Sequence, residues 1–285
     1  MKILIIGGSR FVGLRLMNLL SGRGHEVTVY NRGTNKYVYP PGVKFIKGDR
    51  KTGFKIKEHF NTVVDMCAYK KVDTAKALKD LHFDFFVHMS TAAVYKKNGL
   101  FPLREDSQIG KWPLWGDYNI GKVQCEKVLQ KSKIKYAIIR PVYILGVNNP
   151  VKRESFIYSK IMEKNSITLP GNGEAVVQFV FADDVAKTLL LIIENKKVGI
   201  YNCSNDESVT LRALVNMMAK IVKKDPIIRF NPKADGEAFK EKEFPFANEN
   251  FFCANENIKS LGLKFRPLFE GLKKDYELYY RRHSR

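Results

Sequence analysis

The most constraining feature lies at the amino terminus. Ile3-Leu4-Ile5-Ile6 is an unbroken apolar run that stops on Gly7-Gly8-Ser9-Arg10-Phe11-Val12-Gly13, and Val12, Leu16, Leu19 and Leu20 then recur at helical spacing. A strand that is apolar on both faces needs cover above and below the sheet. A glycine turn leading straight into an amphipathic helix supplies that cover, and it is the opening half of a parallel βαβ unit.

The alternation continues along the chain. Strand patterns fall at Glu26–Tyr30, Val43–Lys47, Thr62–Met66, Phe83–Met89 and Tyr136–Arg140, and helical spacing covers Phe11–Arg23, Val72–Leu81 and Tyr118–Lys131. The expected fold class is α/β: a Rossmann-type doubly wound parallel sheet with helices on both faces. After Pro141 the character changes, with loops at Asn148-Asn149-Pro150 and Pro170-Gly171-Asn172-Gly173. Helical spacing returns at Ser155–Lys164, Asp183–Asn195, Leu211–Lys223 and Phe269–Tyr280, with short strands at Ile167–Leu169 and Gly199–Cys203. The division expected is a dinucleotide-binding domain over 1–145, its sheet completed by segments around 175–205, and a small C-terminal substrate-binding lobe over 146–285.

Composition narrows the class. Hydrophobic residues make up 45% of the 285, enough to bury a core, so a disordered chain is excluded. The four cysteines, Cys67, Cys125, Cys203 and Cys253, form no C-x-x-C pair, so no metal site is expected and the thiols read as reduced. No apolar run approaches the ~20 residues of a membrane span. The opening residues do not resemble a secretory signal, so a cytoplasmic location is expected. The formal charge is +20, yet lysines occur in pairs at most and are scattered, which suits a solvated surface better than a nucleic-acid footprint.

In the glycine turn, Gly7 permits the tight bend, Gly8 lets backbone approach a phosphate, and Gly13 lets the helix pack on the strand. Ser9, Arg10, Phe11 and Val12 complete the turn, and the helix start offers free N–H groups to a pyrophosphate. Strand two ends at Asn31-Arg32, where an acidic residue would select NAD through its ribose. The neutral and cationic pair suits a 2′-phosphate instead, so NADP is the first expectation and NAD the second. Tyr118 and Lys122 stand at i and i+4 on one helix, and Ser90-Thr91 closes the strand upstream. A phenol has a pKa near ~10 and is a poor base until an ammonium favours its ionised form. With a hydroxyl at the sheet edge, such a pair transfers protons to and from a substrate oxygen. The plainer alternative is a packed tyrosine and a solvated lysine.

At these residues the chain resembles an extended short-chain dehydrogenase/reductase of the NAD-dependent epimerase/dehydratase family. The likeness runs over nearly the whole length, through the glycine turn, Asp49 after Lys47-Gly48, VVDMCAY, STAAVY, YNIGK, RPVYILG, LPGNG and FADDVA. It implies a catalytic hydroxyl on Thr91, the base on Tyr118 and the lysine on Lys122. Cofactor contacts are implied at Asp49, Ala68, Ser90, Tyr118, Lys122, Pro141 and Val142, and substrate contacts at Tyr95, Asn149, Lys152 and Gln178. Arg10 in place of the usual middle glycine, with NNPVKRESF and FPFANENFF, resembles the branch of chloroplast stem-loop-binding proteins and their prokaryotic relatives. RNA binding or a redox-sensing scaffold is therefore the alternative role, which the Tyr118–Lys122 pair makes the less favoured. Two arginines that hold the diphosphate in nucleotide-sugar epimerases are replaced by Ala175-Val176-Val177-Gln178 and Phe244-Pro245-Phe246. Lys152 and Arg153 could stand in for them or simply begin a solvated helix. The expected partner is a small-molecule substrate of the sugar or nucleotide-sugar class, with a homodimer compatible and no membrane contact.

Overall fold

The structure, a computed structural model, describes residues 1–35 and 37–283. Its main sheet is built from Lys2–Ile6 (β1), Glu26–Asn31 (β2), Lys44–Lys47 (β3), His59–Asp65 (β4), His82–Met89 (β5), Tyr136–Pro141 (β6) and Gly199–Cys203 (β7). All neighbours pair in parallel in the order β7-β6-β5-β4-β1-β2-β3. Ile5 of β1 lies opposite Val29 on one side and Val64 on the other, so the first apolar run is the centre of the sheet. The chain leaves β1 in both directions, and this reversal opens a crevice at the carboxyl ends of β1 and β4.

The helices follow from the same patterning. Val12–Gly22 (α1) buries Val12, Gly13, Leu16, Met17 and Leu20 along one stripe. Lys71–Asp80 (α2) and Gly116–Gln130 (α3) pack against each other. Beneath them, Leu4, Tyr30, Phe60, Val63, Phe86 and Ile138 belong to one apolar cluster. Such burial contributes roughly 1.5–3 kcal/mol per large side chain.

The chain divides into two compact units. The first comprises Met1–Gly99, Glu105–Pro141 and Asp183–Cys203, and it holds the whole main sheet. The second comprises Leu100–Arg104, Val142–Ala182 and the described residues from Ser204 onward. In it, Val176–Phe181 pairs with Tyr143–Leu145 in parallel and with Ser208–Thr210 antiparallel. A separate ribbon joins Ser166–Pro170 to Ile227–Asn231. Tyr143 packs its ring on Phe179, Phe246 and Phe251 at centroid distances of 6.0, 5.0 and 5.1 Å. The helix expected over Phe269–Tyr280 is regular only over Leu268–Asp275 and widens into a π-turn over Tyr276–Tyr280. The wide turn sets the rings of Tyr276 and Tyr280 both on Tyr158, at 4.9 and 5.3 Å.

Candidate functional site

The crevice is floored by bare backbone. Gly7 and Gly8 adopt φ of +87° and +75°. A Cβ on Gly13 would stand 2.3 Å from Gly8 Cα, and one on Gly8 would stand 2.7 Å from Ile5 Cγ2. Neither position admits a side chain, so the turn closes on itself and leaves the start of α1 open. Arg10, in the usual glycine position, is not among the left-handed residues of the described chain; the positive φ, +48°, falls on Phe11, the helix cap. Sequence reasoning missed this, because strain at one residue is a backbone property. Arg10 hydrogen-bonds Asn35 Oδ1, and Asn35 Nδ2 donates to Ser9 Oγ at 3.2 Å.

Beside this floor lies a cavity of about 310 Å³, walled in part by Gly7, Ser9, Asn31, Arg32, Asp49 and Arg50. Asn31 ties down the end of β2, donating to Tyr39 Oη at 3.1 Å and accepting from Gly33 N at 2.8 Å. Arg32 is exposed and makes no hydrogen bond or ion pair among the described residues. The Asp49 carboxylate accepts from Lys51 N at 2.9 Å and caps the short turn after it. Arg50 was not singled out from sequence. Its guanidinium grips the buried Asp65 with two bonds of 2.9 and 2.8 Å and donates to the Asp73 carbonyl at 2.8 Å. Burial works against its charge, but the hydrogen bonds and charge of Asp65 outweigh it and the pKa is raised. Asp73 in turn accepts from Tyr69 N and Lys70 N, so Arg50 fixes the loop that carries Ala68 and Tyr69 across the crevice. A floor that any Cβ would fill, an open helix start and a cavity with free cationic lining fit a nicotinamide dinucleotide. Val12 and Ala68 are buried behind that floor, and Pro141 and Val142 are buried at the end of β6.

The other end of the site is built from side chains. Thr91 is half-buried, and its Oγ1 accepts from Ala93 N at 3.2 Å. Tyr118 is 43% exposed, whereas Lys122, one helical turn on, is buried and donates to the Met89 carbonyl at 2.7 Å. That bond ties α3 to the last residue of β5. Burial lowers the Lys122 pKa. The backbone also comes close here: a Cβ on Gly121 would lie 2.0 Å from the Tyr69 carbonyl oxygen. Tyr69 consequently rests its ring 4.9 Å from Lys122 Nζ and 6.2 Å from the Tyr118 ring.

Two expected contact residues lie elsewhere. Ser90 is buried and donates its hydroxyl to Glu126. Tyr95 is fully buried; its hydroxyl donates to Asn202 Oδ1 at 2.6 Å and accepts from Arg140 at 3.0 Å. Arg140 also holds Glu126 through bonds of 3.1 and 2.6 Å. Ser90, Glu126, Arg140, Tyr95 and Asn202 therefore form a buried polar frame under the carboxyl edge, and the side chains of Ser90 and Tyr95 are committed to it. Their hydroxyls pair inward because a buried polar atom without a partner costs about 1–3 kcal/mol.

In the second unit, the Asn149 amide donates to the Ile144 carbonyl and to Glu154 and accepts from Val151 N. Gln178 donates to the Asn205 carbonyl at 2.6 Å and accepts from Cys253 N at 2.8 Å. Both amides are spent on the fold, and of the expected substrate set only Lys152 is exposed. Arg153 stacks on Tyr143 and Phe246 at 5.1 and 5.8 Å from the ring centroids. Glu154 is buried, with no cation hydrogen-bonded to it among the described residues; it accepts from Gly146 N and Asn149, and burial pushes its pKa up to about 7. Among the described residues no His, Cys, Asp and Glu group could hold a metal, and no helix is long and apolar enough to cross a membrane.

The parallel sheet, the reversal at β1 and the glycine floor define an α/β fold of the dinucleotide-binding class. The model of the NAD dependent epimerase/dehydratase family matches residues 70–204. The chain is 30% identical to the chloroplast stem-loop binding protein of 41 kDa b of Arabidopsis thaliana, over 97% of this chain and 79% of that one. It is 24% identical to a putative UDP-glucose 4-epimerase of Methanocaldococcus jannaschii, over 95% and 96%. Among solved structures it superposes on UDP-glucuronic acid 4-epimerase from Bacillus cereus, in complex with NAD, with a TM-score of 0.81 over all of both chains at 18% identity. The UDP-glucose 4-epimerase of Thermotoga maritima, with UDP-glucose, gives 0.78 at 19% over the same coverage. The protein belongs to the NAD-dependent epimerase/dehydratase family of extended short-chain dehydrogenases/reductases, and it is an enzyme with a nicotinamide cofactor.

Proposed function

We propose that the protein acts on a hydroxyl or keto group of a sugar or nucleotide sugar, using Thr91, Tyr118 and Lys122 and preferring NADP. The observation that carries this reading is the 2.7 Å bond from Lys122 to the Met89 carbonyl, which holds the Tyr118 helix against the end of the strand that presents Thr91. The bound dinucleotide supplies the hydride acceptor or donor. Tyr118 exchanges a proton with the substrate oxygen, Lys122 favours the phenolate and holds the cofactor ribose, and Thr91 hydrogen-bonds the same substrate oxygen. The exposed Lys152 meets the substrate's phosphate. The second unit serves as the substrate lobe. Relatives named as UDP-glucose 4-epimerases support the nucleotide-sugar class.

The NADP preference rests on Arg32, an exposed cation in the cavity wall at the end of β2. A charge-assisted contact is worth about 1.5–3 kcal/mol, so NADPH should bind at least tenfold more tightly than NADH. Fluorescence titration of both, with Arg32→Ala narrowing the gap, tests the preference, and equal or tighter NADH binding to the parent refutes it. Incubation with a panel of UDP- and dTDP-sugars, read by product chromatography, tests the substrate class. The Arabidopsis relative's name and the +20 charge favour one second reading, stem-loop RNA binding. A gel-shift series in physiological salt separates the two: selective, salt-resistant binding of one stem-loop would place RNA first.

A further inference from the structure

Tyr69 was not part of the expected site, yet it stands at its centre. Its ring borders the 310 Å³ cavity beside the glycine floor and also an open cavity of about 820 Å³ that contains Tyr118. Among the described residues no other side chain lines both. The backbone that carries the ring is held from two sides. Asp73, itself gripped by Arg50, accepts from Tyr69 N at 2.9 Å, and Gly121 lets α3 close on the Tyr69 carbonyl. One face of the ring looks at Lys122 Nζ from 4.9 Å, within cation–π range.

We propose that Tyr69 is a positioning residue of the reaction: its ring, which stands between the two cavities, packs on the buried Lys122 ammonium and helps keep it charged and in place to hold the cofactor. The proposal rests on the reading of Lys122 as the residue that holds the dinucleotide. Lys122 has little else to keep it charged. Its carbonyl partner is neutral, and burial is the largest influence on it, working against the cation. The titratable groups around it are Tyr69, Cys125 on its own helix, Asp65 on β4 and Cys67 in the loop; while the phenol and the thiols are neutral, Tyr69 acts on the ammonium through its ring face. His88 on β5 is buried and kept neutral by burial and by the charges of Lys122 and Arg50, so it adds no like charge beside the ammonium.

The test is NADH affinity as a function of pH, read by fluorescence in a Tyr118→Phe background so that the other phenol does not titrate. Affinity falls at alkaline pH as Lys122 loses its proton. Tyr69→Leu should move the midpoint of that fall to lower pH by roughly half to one and a half units, the range of a cation–π contact. Tyr69→Phe, which keeps the ring, should leave it in place. Tyr69 is 52% exposed, so both variants should keep the parent's thermal midpoint within a few degrees. A Tyr69→Leu protein with the parent's midpoint, whether or not it binds more weakly at every pH alike, overturns the proposal. So does a Tyr69→Phe protein that shifts as far as the leucine. Lys122→Met distinguishes the underlying reading: if it still shows the alkaline fall, Lys122 is not the titrating holder of the cofactor.

Discussion

Two glutamates buried in the two units receive opposite treatment. Glu126, in the first unit, sits between the Arg140 guanidinium and the Ser90 hydroxyl. Glu154, in the second, has only amide donors among the described residues, and its pKa is pushed up to about 7 by burial. The surrounding candidates divide the same way. In the first unit, Ser90, Tyr95, Glu126, Arg140 and Asn202 pair with one another beneath the surface, while Tyr118 and Arg32 remain exposed. In the second, Asn149 and Gln178 have used their amides to hold loops and strands. The lesson is that a rigid frame of paired charges leaves side chains above it available for chemistry, while a unit that ties loops with its polar side chains spends them.

Removing the exposed phenol should have the largest effect. Tyr118→Phe keeps the ring and should cut turnover by ~10²–10⁴-fold with NADH affinity unchanged, measured as kcat beside a fluorescence titration. Full activity would mean that the available side chain is not the working one. Arg140→Met strikes the frame below and leaves Glu126 buried without its cation. It should cost about 3–5 kcal/mol in urea unfolding, and a neutral result would dissolve the contrast between the units.

The third experiment concerns Glu154. Its folded pKa lies above the 4.5 of an ordinary glutamate, so its contribution is fully present below 4.5 and is lost as pH rises through about 7. The loss is on the order of 3 kcal/mol at most. Glu154→Gln, which imitates the protonated form, should flatten the decline in melting temperature between pH 5 and 8. An unchanged decline would show that Glu154 is not the group responsible. The smallest effect belongs to Gln178→Leu, which strands the Asn205 carbonyl and Cys253 N–H and should cost about 1–3 kcal/mol with NADH affinity intact. Lost substrate affinity at unchanged stability would return Gln178 to the site.

What could be read from the sequence was local. Ile3–Ile6 is apolar on both faces and became the central strand, and Gly7, Gly8 and Gly13 lie within one turn of each other. Tyr118 and Lys122 share a helix, so their spacing was visible too. The frame was not visible. Glu126 reads as one more charge on a helix and Arg140 as the end of an apolar strand, and only the packing of α3 beside β6 brings them together. Tyr69 and Arg50 were missed for the same reason, since their partners Lys122 and Asp65 come from other elements. The inward hydrogen bonds of Tyr95 and Gln178 were not legible either, because motif position does not reveal which way a side chain turns.

The last strand of the main sheet has a consequence for biosynthesis. β7 carries Asn202, which accepts from Tyr95 across 107 residues of sequence, and its backbone N–H donates to Glu105. At a ribosomal rate of ~5–20 residues per second, Tyr95 waits roughly 5–20 s for this partner. Through that interval the nascent chain holds an open sheet edge at β6 and a polar frame lacking one member, both of which invite mispairing. A chaperone that shields the β6 edge until residue 203 has left the exit tunnel would raise the yield of active protein, and a released chain truncated before Gly199 should be a markedly better chaperone client than the full chain.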